Sequence, residues 1–335
     1  MAIEFNHETN DIVNSTGQVK FNGTAVGGDN TPPEFFGERA LSAGGVGAGG
    51  SSSTTSNVIQ YMTIDTTGNS TDFGDLNAGR YQMQGCAGEG RGIFAGGYNE
   101  TGGGGGYNNI QYVTISTPGN ATDFGDLSVA NRMSSGGGCS NGLRGLFGGG
   151  GSGFSDMFNT IEYITIASTG NATDFGDLSS NRVHVSSCSN GSRGVFAGGH
   201  SDTFAYADTI EYVTIATTSN TTDFGDLTLA RNGMAALGNN TRGVFAGGNT
   251  FIYSNVIDYI AIATPGNATD FGDLTQGDSS NVGGTNNATR GLFFGGRASS
   301  NLDVIEYITI DTPGNTTDFG DLLEALGGPT GISGN

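Results

Sequence analysis

Tryptophan is absent from the 335 residues, lysine occurs once, at Lys20, and cysteine three times, at Cys86, Cys139 and Cys188. Each scarcity removes a class of explanation. Three cysteines in a chain of this length cannot build a disulfide framework, and no two stand at the C-x-x-C spacing of zinc or redox motifs. One lysine and eleven arginines face 32 acidic residues, a formal charge of −20. Such a surface lacks the cations that displace counterions from a phosphate backbone, so nucleic acid is not an expected partner, nor is an anionic membrane. There is no run of about 18 apolar residues, and the opening MAIEFNHETN has neither the basic nor the apolar segment of a signal peptide. A soluble chain made in the cytoplasm, without membrane insertion, is the expectation.

What the chain has in excess is glycine, 62 residues against only 6 prolines. Together they stay below the level of a low-complexity disordered chain, which makes the glycines turn and packing residues of a fold. Repetition then decides the architecture. The string DFGDL occurs six times, its first Asp at Asp72, Asp123, Asp174, Asp223, Asp270 and Asp318, at intervals of 47 to 51 residues. A repeat of this length with period-two alternation is the signature of propeller blades rather than helical solenoids.

Residues 181–227 read as four strands: RVHVSSCS from Arg182, RGVFAGG from Arg193 to Gly199, IEYVTIAT from Ile210 to Thr217, and a fourth spanning DFGDL from Asp223. The Asn190-Gly191 pair suits a tight hairpin between the first two. Alternation puts Ile210, Tyr212 and Thr214 on one face and Glu211, Val213 and Ile215 on the other, so both faces carry apolar groups, as a sheet sandwiched between neighbours requires. The expectation is an all-β fold: a six-bladed β-propeller of four-stranded antiparallel blades over residues 38–335, preceded by a short N-terminal β arm, 1–37.

Ring closure follows from register. Cys86, Cys139, Cys188, Leu237, Thr285 and Ile332 fall at matching inner-strand positions, 14 to 16 residues after the first Asp of the preceding repeat. Ile332 has no second strand after it, whereas Arg39 to Gly45 matches the R-x-φ-x-x-G-G pattern of Arg193 to Gly199 without a first strand before it. The C-terminal strand is therefore expected to complete the first blade, hiding two open edges. The Gly-rich 46–56 stretch becomes that blade's long loop. The cysteines become packing groups near the axis.

With these strands placed, the chain resembles the kelch repeat. An Arg precedes the inner strand (Arg80, Arg132, Arg182, Arg231), Gly-Gly ends the second, and an aromatic sits in the third (Tyr61, Tyr112, Tyr163, Tyr212, Tyr259, Tyr307). Where kelch repeats carry a fourth-strand Trp, the Phe of DFGDL is expected to stand in. The D-x-G-x-L core also looks like a degenerate Asp-box of sialidase-type propellers, structural in that family. Residues Ser15 to Gly28, STGQVKFNGTAVGG, resemble short β-segments of virion structural and tail-fibre proteins of tailed phages. That last resemblance implies a virion setting in which the arm attaches to other virion proteins.

The candidate sites divide by whether they follow the repeat. The aspartates of DFGD read as turn residues capping backbone N–H groups, with bound calcium, which needs six or more converging oxygens, as the alternative. Arg91, Arg144, Arg193, Arg242 and Arg290 open the second strands; recurring in place, they suit pairing with backbone carbonyls or DFGD carboxylates rather than a substrate clamp. Asn69, Asn120, Asn171, Asn220, Asn267 and Asn315 begin N-x-[ST] triplets that read as turn chemistry. His7, His184 and His200 stand at different repeat positions, and no catalytic constellation emerges. No metal site and no cofactor are expected, calcium aside. What breaks the repeat is the loop between second and third strands, with Tyr98, Tyr107, Phe154, Phe158, Phe204, Tyr206, Phe251 and Tyr253, and Arg297 in the sixth unit. These aromatics are expected to gather on one rim, either suited to contact a glycan or a protein or folded back over the rim to cover blade edges. The function expected is a non-enzymatic virion component, a tail fibre, adhesion or decoration protein within a larger particle. A sialidase-like glycan-processing enzyme and an intracellular kelch interaction module are the alternatives.

Overall fold

The computed structural model describes residues 4–6, 11–13, 20–21, 24–25, 37–47, 55–99, 105–129, 137–153, 156–201, 203, 205–275 and 281–334. Six four-stranded antiparallel sheets stand in a ring, and no helix occurs among the described residues. Blade four shows the pattern: Ser186–Ser189 innermost, then Arg193–Ala197, Thr209–Thr214 and Thr222–Asp226. The innermost strands contact one another in succession, from blade one to six and back to one. In the arm, Glu4–Asn6 pairs with Asp11–Val13, and Lys20–Phe21 with Thr24–Ala25.

Closure occurs where register placed it. Thr330–Gly334 is the inner strand of blade one, pairing Ile332 with Leu41 and running antiparallel to Arg39–Ala43. The inner strands of blades one to five each send one apolar or thiol side chain onto the glycine that follows the second-strand arginine of the next blade; at the sixth interface the matching residues are Thr285 and Ala40. A Cβ on Gly92 would lie 2.2 Å from Ile332, on Gly145 2.5 Å from Cys86, on Gly194 2.8 Å from Cys139, on Gly243 2.7 Å from Cys188 and on Gly291 2.6 Å from Leu237. The cysteines are thus buried packing groups of the blade interfaces. Burial pushes all three thiols up, Cys139 to about 12, so they remain protonated at neutral pH. Position-matched side chains on the opposite face cap the neighbouring inner strand: Ser140 donates to the Ala87 carbonyl, Ser189 to Ser140, Asn286 to Gly238 and Ser333 to Asn286.

Three further contacts repeat in all six blades. The second-strand arginines, Arg39 included, stack over the tyrosine of their own third strand at 4.2–4.9 Å. They donate to an isoleucine carbonyl of the next blade at 2.8–3.1 Å. Of the two partners expected from sequence, the carbonyl is the observed one. The second contact keeps the fourth strand where it was expected, across DFGD, and corrects the reading of its aspartates as turn caps. The segment is an outer edge strand with a β-bulge in every blade, where Phe73 and its equivalents form the extra residue. A bulge of this kind twists an edge away from pairing with other chains. The capping side chain is the asparagine of the next blade's N-x-[ST] turn, which accepts the backbone N–H of the second Asp at 3.0–3.1 Å. The DFGD phenylalanines are buried and meet the third-strand tyrosines edge-on, at 5.9–6.2 Å between ring centroids.

The third contact was invisible to the alternation argument. The residue before each third-strand tyrosine, Gln60, Gln111, Glu162, Glu211, Asp258 or Glu306, is buried. It accepts the backbone N–H of the residue after the preceding DFGDL, at 2.7–3.2 Å. Two smaller readings also change. The inner strand of blade four begins at Ser186, so Arg182–Val185 is loop. Asn190-Gly191 belongs to a three-residue loop in which the Asn190 side chain accepts the N–H groups of Ser192 and Arg193, rather than to a two-residue turn.

Candidate functional site

The loops from second to third strand share one face of the ring with those leading into the inner strands. Near the axis, the latter join in a belt of backbone hydrogen bonds: Gln82 to Gly328, Gly328 to Asn281, Asn281 to Gly233, and Gly233 to His184. All five residues have φ between 53° and 69°. That left-handed region is natural for glycine and uncommon for the other three.

Among the described residues the expected aromatics stand in separate groups. Phe154 and Phe204 lie outside the described residues. Tyr98 packs edge-on against Tyr81 in blade two, at 5.7 Å. Tyr107 lies under the Arg80 guanidinium at 4.0 Å and is thereby part of the fold. Phe158 is half-buried in blade three, its N–H bonded to the Gly150 carbonyl. Tyr253 is half-buried and bridges to Asn249, and Arg297 is exposed in blade six. The loops fold back on the Gly-Gly of their own blades, through N–H bonds from Tyr107 to Gly97, Phe158 to Gly150, Ala207 to Gly199 and Ser254 to Gly248.

Rings from different blades meet between blades four and five. The rings of His184 and His200 are 5.4 Å apart, those of His200 and Tyr206 6.4 Å, and those of Tyr206 and Phe251 4.8 Å. The Tyr206 hydroxyl donates to Asn249 across the blade boundary at 3.4 Å. The row thus runs outward from the axial belt to a loop tip, where Phe251 is 84% and Ile252 73% exposed. Phe251 holds a φ of 81°, an outlier for a bulky side chain. The tip is fixed by Phe251 N–H to Asn249 Oδ1 at 2.9 Å and Thr250 N–H to the Ile252 carbonyl at 2.8 Å. Sequence reasoning found Tyr206 and Phe251 but missed the histidines and Ile252. Treating His184 and His200 as isolated overlooked that one lies in the loop leading into an inner strand and the other follows the Gly-Gly of the same blade, segments that are also bridged in blades two and five.

Burial lowers the His184 pKa to about 3, with the neighbouring His200 adding to the shift, and burial lowers His200 as well. The unfolded chain therefore binds protons before the folded one does. Stability is complete above about pH 6.5 and falls as pH drops toward 3, by up to about 1.4 kcal/mol per unit for each such group. Urea midpoints at pH 7 and pH 5 measure this. His184→Asn, which keeps a residue tolerant of the left-handed φ, is expected to lose less stability between the two pH values than the unaltered chain.

The arginines ahead of the inner strands are interior. Arg182 forms an ion pair with Glu211, and Arg231 pairs with Asp258 at 2.9 Å, all four fully or almost fully buried. Blade two has Gln111 at the position of these acids, and its Arg80 donates to Asn77, Asn109 and the Gly96 carbonyl. Burial lowers Arg80 and Arg182 to about 10, which leaves both charged at neutral pH. Arg132 lies outside the described residues. Along the axis the inner strands present Gly85, Gly138, Ser187, Ala236, Gly284 and Gly331, side chains with no acid or base. Among the described residues no three His, Cys, Asp or Glu side chains converge on a point a metal could occupy.

Neither a protein-family model nor a curated protein matches the chain. The six-bladed β-propeller is what the structure establishes. Its second-strand arginines are taken up by blade-to-blade bonds, and its exposed aromatic tip departs from the repeat.

Proposed function

We propose that this propeller is a non-catalytic recognition module of a tailed-phage virion, a tail-fibre, adhesion or decoration component, that binds a host-surface glycan or protein through the loop face of blades four and five. The observation that carries the recognition part is the tip itself: a phenylalanine held at an unfavourable φ and turned to solvent beside an exposed isoleucine, backed by Tyr206. Strain of this kind persists where the surroundings enforce it, commonly at binding sites, and exposed adjoining apolar side chains are typical of interaction surfaces. The small, uncharged axis residues support a non-catalytic role. The virion setting rests on the resemblance of Ser15 to Gly28 to phage tail-fibre segments, and the kelch-like label on the repeat pattern.

Binding to host cells and to a glycan array tests the reading. The Phe251→Ala/Ile252→Ser double variant is expected to lose at least about tenfold in binding, some 1.4 kcal/mol or more, with an unchanged melting temperature. Equal binding by the variant would return this loop to a structural role, and a purified particle lacking the chain would end the virion assignment.

A further inference from the structure

The axial mouth carries a second site. We propose that the pocket ringed by the backbone belt binds an uncharged, hydroxyl-rich sugar end, with the Gln82 carboxamide as its main polar contact; the proposal deepens the recognition reading and takes its ligand class from it. The pocket holds about 50 Å3 and is lined by Gln82, Asn281, Ser187 and Thr330 with Met83 and Met234. That is space for a few water-sized groups, which suits one edge of a sugar ring rather than a whole ligand.

Two costs coincide at Gln82. Its side chain is only 9% exposed, yet Oε1 has no hydrogen-bond partner, and its φ of 57° is unfavourable for a side-chain-bearing residue. Unsatisfied buried acceptors are rare enough to require an account. The fold does not require glutamine here, because glycine holds the equivalent belt position at Gly233 and Gly328 with the same φ and the same belt hydrogen bonds. A hydroxyl donor from outside satisfies the acceptor after a rotation of the amide about its soft terminal torsion, while the two methionines meet the C–H face of the ring.

Among the described residues the lining contains no charged side chain. Arg80, Arg182 and Arg231, the described arginines that lead into inner strands, direct N–H groups to the Gly96, Gly198 and Gly247 carbonyls of the fold. A carboxylate sugar would find no cation among these described residues, and the sugar proposed is accordingly neutral rather than acidic. His184 belongs to the same belt and starts the ring row that ends at Phe251, which places the pocket and the rim tip on one continuous path.

Gln82→Gly is the diagnostic variant, since it removes the amide and relieves the φ at once. Titrations of the full-length protein with free galactose, glucose, N-acetylglucosamine and N-acetylneuraminic acid, followed by saturation-transfer NMR, are expected to show binding of at least one neutral sugar and none of the acidic one. Gln82→Gly is expected to weaken the neutral sugar at least tenfold while melting at or above the parent temperature. Preference for the acidic sugar, no binding of any sugar, or equal binding by Gln82→Gly overturns the proposal. Host-surface binding that depends on Phe251 but not on Gln82 leaves the recognition reading standing without this pocket; monosaccharide binding that depends on Gln82 with no surface binding leaves the pocket without that reading.

Discussion

Removing residues 329–335 is expected to abolish the single cooperative unfolding transition and to lower the melting temperature by more than about 10 °C, a change calorimetry reads directly. The deleted strand pairs five residues with Arg39–Ala43. Ile332, which packs against the Gly92 position, alone accounts for about 1.5–3 kcal/mol of apolar burial. Ser333 donates to the Asn286 carbonyl and Thr330 to that of Met83, so blades six and two each lose a contact. The larger effect comes from geometry. A blade cannot bury its own faces, and stability in such arrays comes from nearest-neighbour interfaces. Without the strand, blade one loses the edge that touches both neighbours at the axis, and the ring becomes an open arc with unpaired backbone. For a domain of this size a loss near 10 °C corresponds to several kcal/mol. A truncated chain melting within about 2 °C of the parent would show that closure is dispensable.

The second large effect is expected inside blade five. Asp258 accepts from Arg231 at 2.9 Å, from the Thr228 hydroxyl at 2.6 Å and from the Thr228 N–H at 3.2 Å, with both ionic side chains fully buried. Asp258→Asn keeps the shape but leaves a buried guanidinium uncompensated, which costs about 3–5 kcal/mol. Chemical denaturation at pH 7 measures it. The sign of a second variant guards the argument. Gln111→Glu supplies a carboxylate to Arg80, whose blade has none at that position, and removes the unpartnered Gln111 Nε2; it is expected to stabilise. If both variants behave alike, the interior arginines do not act through their charge.

The ring was legible in the amino-acid pattern because the repeat is written twice, once in DFGDL and once in R-G-φ-F-x-G-G, and because the two ends of the chain carry complementary halves of one unit. Ile332 and Arg39 could be matched before any contact was known. The interior ion pairs were not legible: alternation places Glu211 on a face with Val213 and Ile215 that packs against a neighbour, but the arginine that compensates it, Arg182, lies on a separate loop that no local pattern brings to it. The misreading of DFGD has a related cause. Asp and Gly in close succession signal a turn locally, whereas a bulge that brings the next blade's asparagine to the Asp N–H is a tertiary event. The rim was partly legible. Aromatic content marked the loops, but which rings meet depends on how each loop folds back on its own blade and on backbone conformations such as that of Phe251, which no local pattern states.

The arm enters the ring through Arg39–Ala43, a strand hydrogen-bonded on both sides, to Thr330–Gly334 and to Val58–Thr63. A pull applied along the arm is therefore delivered in shear to the middle of a sheet, and two rows of hydrogen bonds must yield together before the strand leaves. Peeling an edge strand would break them one at a time. Because forced unfolding is governed by the barrier rather than by equilibrium stability, this entry point suits a propeller tethered at its N-terminal side to hold its shape under mechanical load.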